Sequence, residues 1–141
     1  MAYKGRFTPK NPQKYIGDYK NIIYRSSWEC KMMDWLDRNP NIISWASEEV
    51  TVPYISPVDG RWHRYFPDMW MKTIDGRNLI LEIKPYKQTI PPKKQNKRYL
   101  IEMQTFIINK QKWDAALKYC GKKGSGWHFI ILTEKELDIN F

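Results

Sequence analysis

The stretch Asn78-Leu-Ile-Leu-Glu-Ile-Lys84, read together with Arg64-Tyr-Phe-Pro-Asp-Met-Trp70, decides the fold. Both runs are short and apolar, and Asp75-Gly76 between them is a hairpin turn signal. Alternate side chains of a strand share a face. Glu82 and Lys84 therefore project together, while Leu81 and Ile83 point the other way into a core. A paired hairpin strand brings Asp68 beside them. Two carboxylates next to a lysine are a donor set that holds a divalent metal and activates a water, as phosphodiester hydrolysis requires.

The flanking sequence is consistent with one domain. The chain has 141 residues, 42% of them apolar, enough for one substantial core and too apolar for a disordered tail. Its 24 Lys and Arg against 15 Asp and Glu leave a net charge of +9, which suits a polyanion such as nucleic acid before an acidic membrane surface. Seven Trp and nine Tyr are mainly packing residues, with a minority free to stack on bases. Cys30 and Cys120 are far apart, and only His63 and His128 accompany them, which argues against structural zinc and for two free thiols in a reducing compartment. No apolar stretch reaches the length of a membrane span and the N-terminus has no apolar leader, so the expected location is the cytoplasm of the cell that makes it.

Residues 1–22 read as an irregular basic arm, either wrapped on the domain or clamping DNA or a partner, and 23–141 as the domain proper. Ser26-Ser-Trp-Glu29 is a capping box that opens a helix running to Asn39-Pro40. Strands follow over 50–55, 61–72 and 77–84. A charged, proline-rich loop occupies 85–98, a long helix 99–119 with Tyr99, Met103, Phe106, Trp113 and Leu117 on one side, and a last strand 127–133. The order αβββαβ predicts a mixed sheet flanked by helices, an α/β (α+β) arrangement in which the final strand returns parallel after the long helix.

Each candidate residue also has a plain reading. Glu82 and Lys84 alone would be an ordinary surface pair, and Asp68 an exposed strand residue, but the upstream Pro67, the hairpin spacing and the basic charge favour a site. Glu29 either completes its capping box or faces the sheet as a third acid. Gln104, mid-helix, is either exposed or near the metal, and His63, His128, Glu48 and Glu49 read as surface or turn residues. Lys93, Lys94, Lys97, Arg98, Lys110 and Lys112, with Lys122 and Lys123, are candidates for sequence-independent phosphate contacts or for solvated faces.

Pro67-Asp68 followed by Glu82-Ile83-Lys84 resembles the PD-(D/E)XK nuclease motif, and the element order resembles the restriction-endonuclease-like core. Ser26-Ser-Trp-Glu29 is similar in position to the helix glutamate that completes the metal site in the nuclease subunit of heteromeric transposases. Asn11-Pro-Gln-Lys-Tyr-Ile-Gly-Asp18, Trp45-Ala-Ser-Glu-Glu49, His63-Arg-Tyr-Phe-Pro-Asp68 and Asn109-Lys-Gln-Lys-Trp-Asp-Ala-Ala116 resemble the head completion nucleases of T-even-type tailed phages. That resemblance implies an endonuclease acting on double-stranded DNA after genome packaging and before tail attachment, in the host cytoplasm and then in the virion near the portal, alongside portal or head-completion proteins. Oxygen ligands favour Mg²⁺, with Mn²⁺ as substitute, held by Asp68, Glu82, the Ile83 carbonyl and Glu29, with Lys84 orienting and helping to deprotonate the attacking water or offsetting charge on the scissile phosphate. The competing class is a non-catalytic DNA-binding protein of the head or portal.

Overall fold

The computed structural model describes residues 4–140, for the last three of them the backbone only; Met1–Tyr3 of the expected arm and Phe141 of the expected domain lie outside the described residues. Helix α1 (Ser27–Arg38) starts where the capping box places it: the Ser26 hydroxyl accepts the Glu29 amide at 3.1 Å. It ends at Asn39, ahead of Pro40, and buries Met32, Met33 and Leu36.

A four-stranded sheet forms the centre, in the order β3 (Ile42–Ser47), β6 (Met69–Thr73), β7 (Asn78–Ile83), β8 (Trp127–Leu132). The first three strands are antiparallel neighbours, and β8 joins β7 in parallel after the 25-residue helix α2 (Tyr99–Lys123). With α1 in front, this is the expected αβββαβ mixed sheet between helices. A hairpin, β4 (Val52–Ile55) with β5 (Trp62–Tyr65), is inserted between β3 and β6 as a separate two-stranded sheet. A short helix α3 (Glu134–Asn140) follows β8.

Two assignments differ from the sequence reading. The first strand of the core is β3, which was not expected, whereas the expected strand at 50–55 is one arm of the hairpin. The expected strand at 61–72 divides into β5 and β6, because Pro67 has no amide for a ladder and lies fully buried at the break. On the long helix the expected side holds for Tyr99, Met103 and Phe106, which are half-buried, and for Trp113, which is buried with Asn109, Ala116 and Cys120; Leu117 alone of the expected set is exposed.

The core has two layers. On one face of the sheet, α1 packs with Trp45, Met69, Met71, Leu79 and Leu81. On the other, Trp113 and Ala116 of α2 pack with Val52, Tyr54 and Tyr65 of the hairpin and with Phe129 and Ile131 of β8. Because paired residues of neighbouring strands share a face, Glu82, opposite Ile131, belongs to the second layer.

The N-terminal segment is tied into the first layer. Gly5–Phe7 (β1) pairs with Ile22–Tyr24 (β2), and Phe7, Tyr15 and Ile22 are buried in the core, so an irregular arm is too loose a description of residues 5–22. The Lys14 ammonium donates to the Leu36, Asp37 and Asn39 carbonyls at 2.7, 2.9 and 2.8 Å, satisfying the open end of α1. Asp37, 1% exposed, accepts the Lys10 and Asn11 amides at 2.8 and 3.1 Å. Removing the carboxylate leaves two amides without their acceptor. Asp37→Ala is expected to lower stability by about 2–3 kcal/mol in urea unfolding and to hasten proteolysis within the first 20 or so residues; unchanged protection would show that the segment is held by Phe7, Tyr15 and Ile22 alone.

Candidate active site

Where β5 gives way to β6, the chain turns through Phe66-Pro67-Asp68, and β6 then pairs Met69 with Leu81 and Trp70 with Ile80. Continuing that register by one step sets Asp68 across from Glu82, on the same face. Asp68 Oδ2 accepts the Ile83 amide at 2.7 Å, and its own carbonyl accepts the Glu48 amide at 3.2 Å. Glu82 is 6% exposed, and its Oε2 lies 3.8 Å from the Lys84 ammonium. The structure thus brings Asp68, Glu82, Ile83 and Lys84 together at the C-terminal end of β7.

The two carboxyls are coupled: the Glu82 charge raises the proton affinity of Asp68, while a hydrogen bond with Asp68 favours the charged form of Glu82. Burial, and next the Glu82 charge, push Asp68 up to about 8, against the Ile83 amide and the Lys84 ammonium. Burial also raises Glu82, opposed first by Lys84. Glu29 is pushed up to about 7, by burial and then by the Asp68 charge. It belongs to α1, on the other face of the sheet, and its carboxylate also takes the Arg25 amide at 3.4 Å, one residue earlier than a standard capping box would use. Among the described residues no three His, Cys, Asp or Glu side chains converge closely enough to enclose a metal ion. Glu29 therefore stands beside the Asp68–Glu82 pair and not within it.

Three further neighbours enter with the structure. The buried Tyr65 hydroxyl lies against Glu82 without a well-formed hydrogen bond among the described residues; burial and then the Glu82 charge raise its pKa far above the ordinary value. The Lys112 ammonium lies 5.8 Å from the Tyr65 ring and helps to hold the Glu82 carboxyl down. Glu48, in left-handed backbone conformation (φ 57°), pairs with Arg25, whose guanidinium also feels Glu29 and Asp68. In the sequence, Lys112 stood out only as a possible phosphate contact and Glu48 as a turn residue. A sharper signal was available for Tyr65: it is the last residue of a strand that ends three positions before Asp68.

The other basic candidates are peripheral. Lys93, Lys94, Lys97 and Arg98 are exposed on the loop before α2, and Lys110 pairs with Asp114 at 3.1 Å. Gln104 is exposed, about 140° around the helix from the buried Asn109. His63 pairs with Asp59 at 2.9 Å and His128 is exposed.

The donor chemistry suits a hard cation. Two oxygen acids share a confined position, and burial holds Asp68 protonated despite the nearby Lys84 and Lys112; a divalent ion would neutralise the pair. Magnesium needs only one or two protein carboxylates when waters and substrate oxygens supply the rest, so the lack of a third converging acid is compatible with it. Without metal, the folded protein keeps protons on Asp68 and Glu29 that the unfolded chain has released, so stability should fall as pH rises from about 4 through about 8 and level off above. Thermal unfolding across that range checks this: Asp68→Asn should flatten the slope, and added Mg²⁺ should raise the midpoint more at pH 8.5 than at pH 6.

Residues 39–134 match the family described as TnsA-like endonuclease N terminal, a stretch that contains Asp68, Glu82 and Lys84 and leaves out Glu29. The chain is also similar to the head completion nuclease of Enterobacteria phage T4, with 45% identity over 144 residues that cover 97% of this chain and 95% of the relative. No solved structure gives a significant match. With its mixed sheet and its carboxylates at the end of β7, the chain belongs to the TnsA-like endonuclease family, within the restriction-endonuclease-like fold.

Proposed function

We propose that this chain is a Mg²⁺-dependent endonuclease of the PD-(D/E)XK type that cuts double-stranded DNA while a phage head is being completed. The observation that carries this reading is the confined Asp68–Glu82 pair with Lys84 3.8 Å from Glu82, in a chain of an endonuclease family. The assembly context rests on the similarity to the T4 protein named for head completion. On this reading the chain acts in the host cytoplasm during assembly and then in the virion near the portal, with portal or other head-completion proteins as partners. No helix among the described residues is long and apolar enough to cross a membrane.

Asp68 and Glu82, with the Ile83 carbonyl, would hold the ion, and Glu29 would join once substrate and cation draw the carboxylates together. Bound there, Mg²⁺ (or Mn²⁺) would polarise the scissile phosphate and lower the pKa of a water. The remaining work falls to the chain. The Ile83 amide fixes the Asp68 carboxylate, so its free oxygen keeps one direction. Lys84, half-buried, carries a proton donor to the same edge, where it can orient the attacking water or offset charge on the phosphate. Lys112 adds a second positive charge from α2, on the Tyr65 side of Glu82. The exposed lysines before α2 supply salt-sensitive affinity for the phosphate backbone without sequence preference.

Supercoiled plasmid incubated with Mg²⁺, Mn²⁺ or EDTA tests the reading. Wild type should nick it only with metal, and Lys84→Ala and Glu82→Gln should each reduce the rate by about 100-fold or more while remaining folded. DNA binding without cleavage under any metal would instead support a structural head protein. Glu29→Gln should cut more slowly and need more Mg²⁺ for half-maximal rate; an unchanged Mg²⁺ requirement would leave Glu29 as a helix cap only.

A further inference from the structure

The β4–β5 hairpin covers α2 with one face and leaves the other bare. Val52, Tyr54 and Tyr65 are buried against α2. The opposite face carries Pro53, Ile55, Trp62 and Arg64, with Phe66 just beyond the strand; Trp62 is 69% exposed and Phe66 45%. The Arg64 guanidinium lies 5.9 Å from the Phe66 ring, a cation–aromatic stack. Pro53, Trp62, His63, Arg64 and Phe66 line an open groove. The turn that presents this face is pinned: the Ser56 amide donates to the Arg61 carbonyl at 2.9 Å, the Gly60 amide to the Ser56 carbonyl at 2.9 Å, and the Arg61 amide to Asp59 at 3.0 Å.

We infer that this groove is a stacking platform for an unpaired base, and that the preferred substrate is DNA with a junction between single and double strand or a frayed end, not continuous duplex. The inference rests on the nuclease reading and narrows its substrate. Charge selects nucleic acid as the occupant: Arg61 and Arg64 are cationic, neither strand holds an acid, and the acid of the turn, Asp59, is engaged by the Arg61 amide and by His63. Position selects the reacting strand. Phe66 leads directly into Pro67-Asp68, and Arg64 is four residues from Asp68, at most roughly 13 Å of extended chain, or about four base steps. The aromatic rings select unpaired bases, because in intact duplex the base faces are already stacked and Trp62 would stay wet.

Binding of the full chain in EDTA, where no cleavage intervenes, tests this with a labelled blunt duplex and a duplex of equal paired length carrying a single-stranded tail. Wild type should bind the tailed DNA about tenfold or more tighter. Trp62→Ala with Phe66→Ala should abolish that ratio while leaving blunt-duplex affinity and the thermal midpoint unchanged, and Trp62→Phe should keep most of it. Equal binding of both DNAs by wild type would overturn the inference, as would equal weakening of both by the double variant. No effect of the double variant on either DNA would also overturn it and would assign the face to a protein partner. Failure of the nuclease reading would show separately, as the absence of metal-dependent plasmid nicking by wild type.

Discussion

The Ile83 amide donates to Asp68 at 2.7 Å, and the site depends on that cross-strand bond. It forms because Pro67, buried and unable to donate to a ladder, ends one pairing and lets the next begin at Met69. Asp68 then lies one register step from Met69, across from Glu82. The same bond keeps the two acids from separating, although burial raises the proton affinity of both and the Glu82 charge raises that of Asp68 further. A pair held in this way is a poor stabiliser of the fold, and its binding of a cation belongs to the proposed function.

The layers explain which groups can take part. Glu82 faces the hairpin and α2, so Tyr65 and Lys112 belong with it, whereas Glu29 comes from the layer across the sheet and falls short of a three-acid cluster. The hairpin is inserted between the strand that precedes the site and the strand that opens it. It therefore packs against α2 with one face and leaves Trp62 and Arg64 exposed on the other, a few residues before Asp68 in the chain. Most of the net charge of +9 is spread over the surface, and among the described residues Lys84, Lys112 and Arg25 bear on the carboxyls.

Much of this was legible in the chain because hairpin spacing and strand parity are local rules. They place Asp68, Glu82 and Lys84 together without knowledge of the rest, and the capping box locates the start of α1. What was missed depended on tertiary context. Strand β3 lacks simple alternation, since its register shifts between Ile42 and Ser44 and both Trp45 and Ala46 are buried. The 61–72 run is rich in aromatic and apolar residues on both sides of Pro67, so it reads as one strand unless the missing amide of Pro67 is given the weight of a break. Helix α3 did carry a local sign: Thr133 accepts the Lys135 amide and donates to Glu136, a T-x-x-E start that was not read. The N-terminal segment looked irregular because three-residue strands leave no periodic trace; only Phe7, Tyr15 and Ile22 hinted at burial.

The central claim is that Asp68 and Glu82 form a protonated pair awaiting a divalent cation. Calorimetric titration of Mn²⁺ at pH 7, repeated in buffers of different ionisation enthalpy, measures it directly. The account predicts one binding event that releases about one proton, and loss of both heat and proton in Asp68→Asn. Binding with no proton release, or binding unchanged in Asp68→Asn, would place the cation elsewhere and contradict the account.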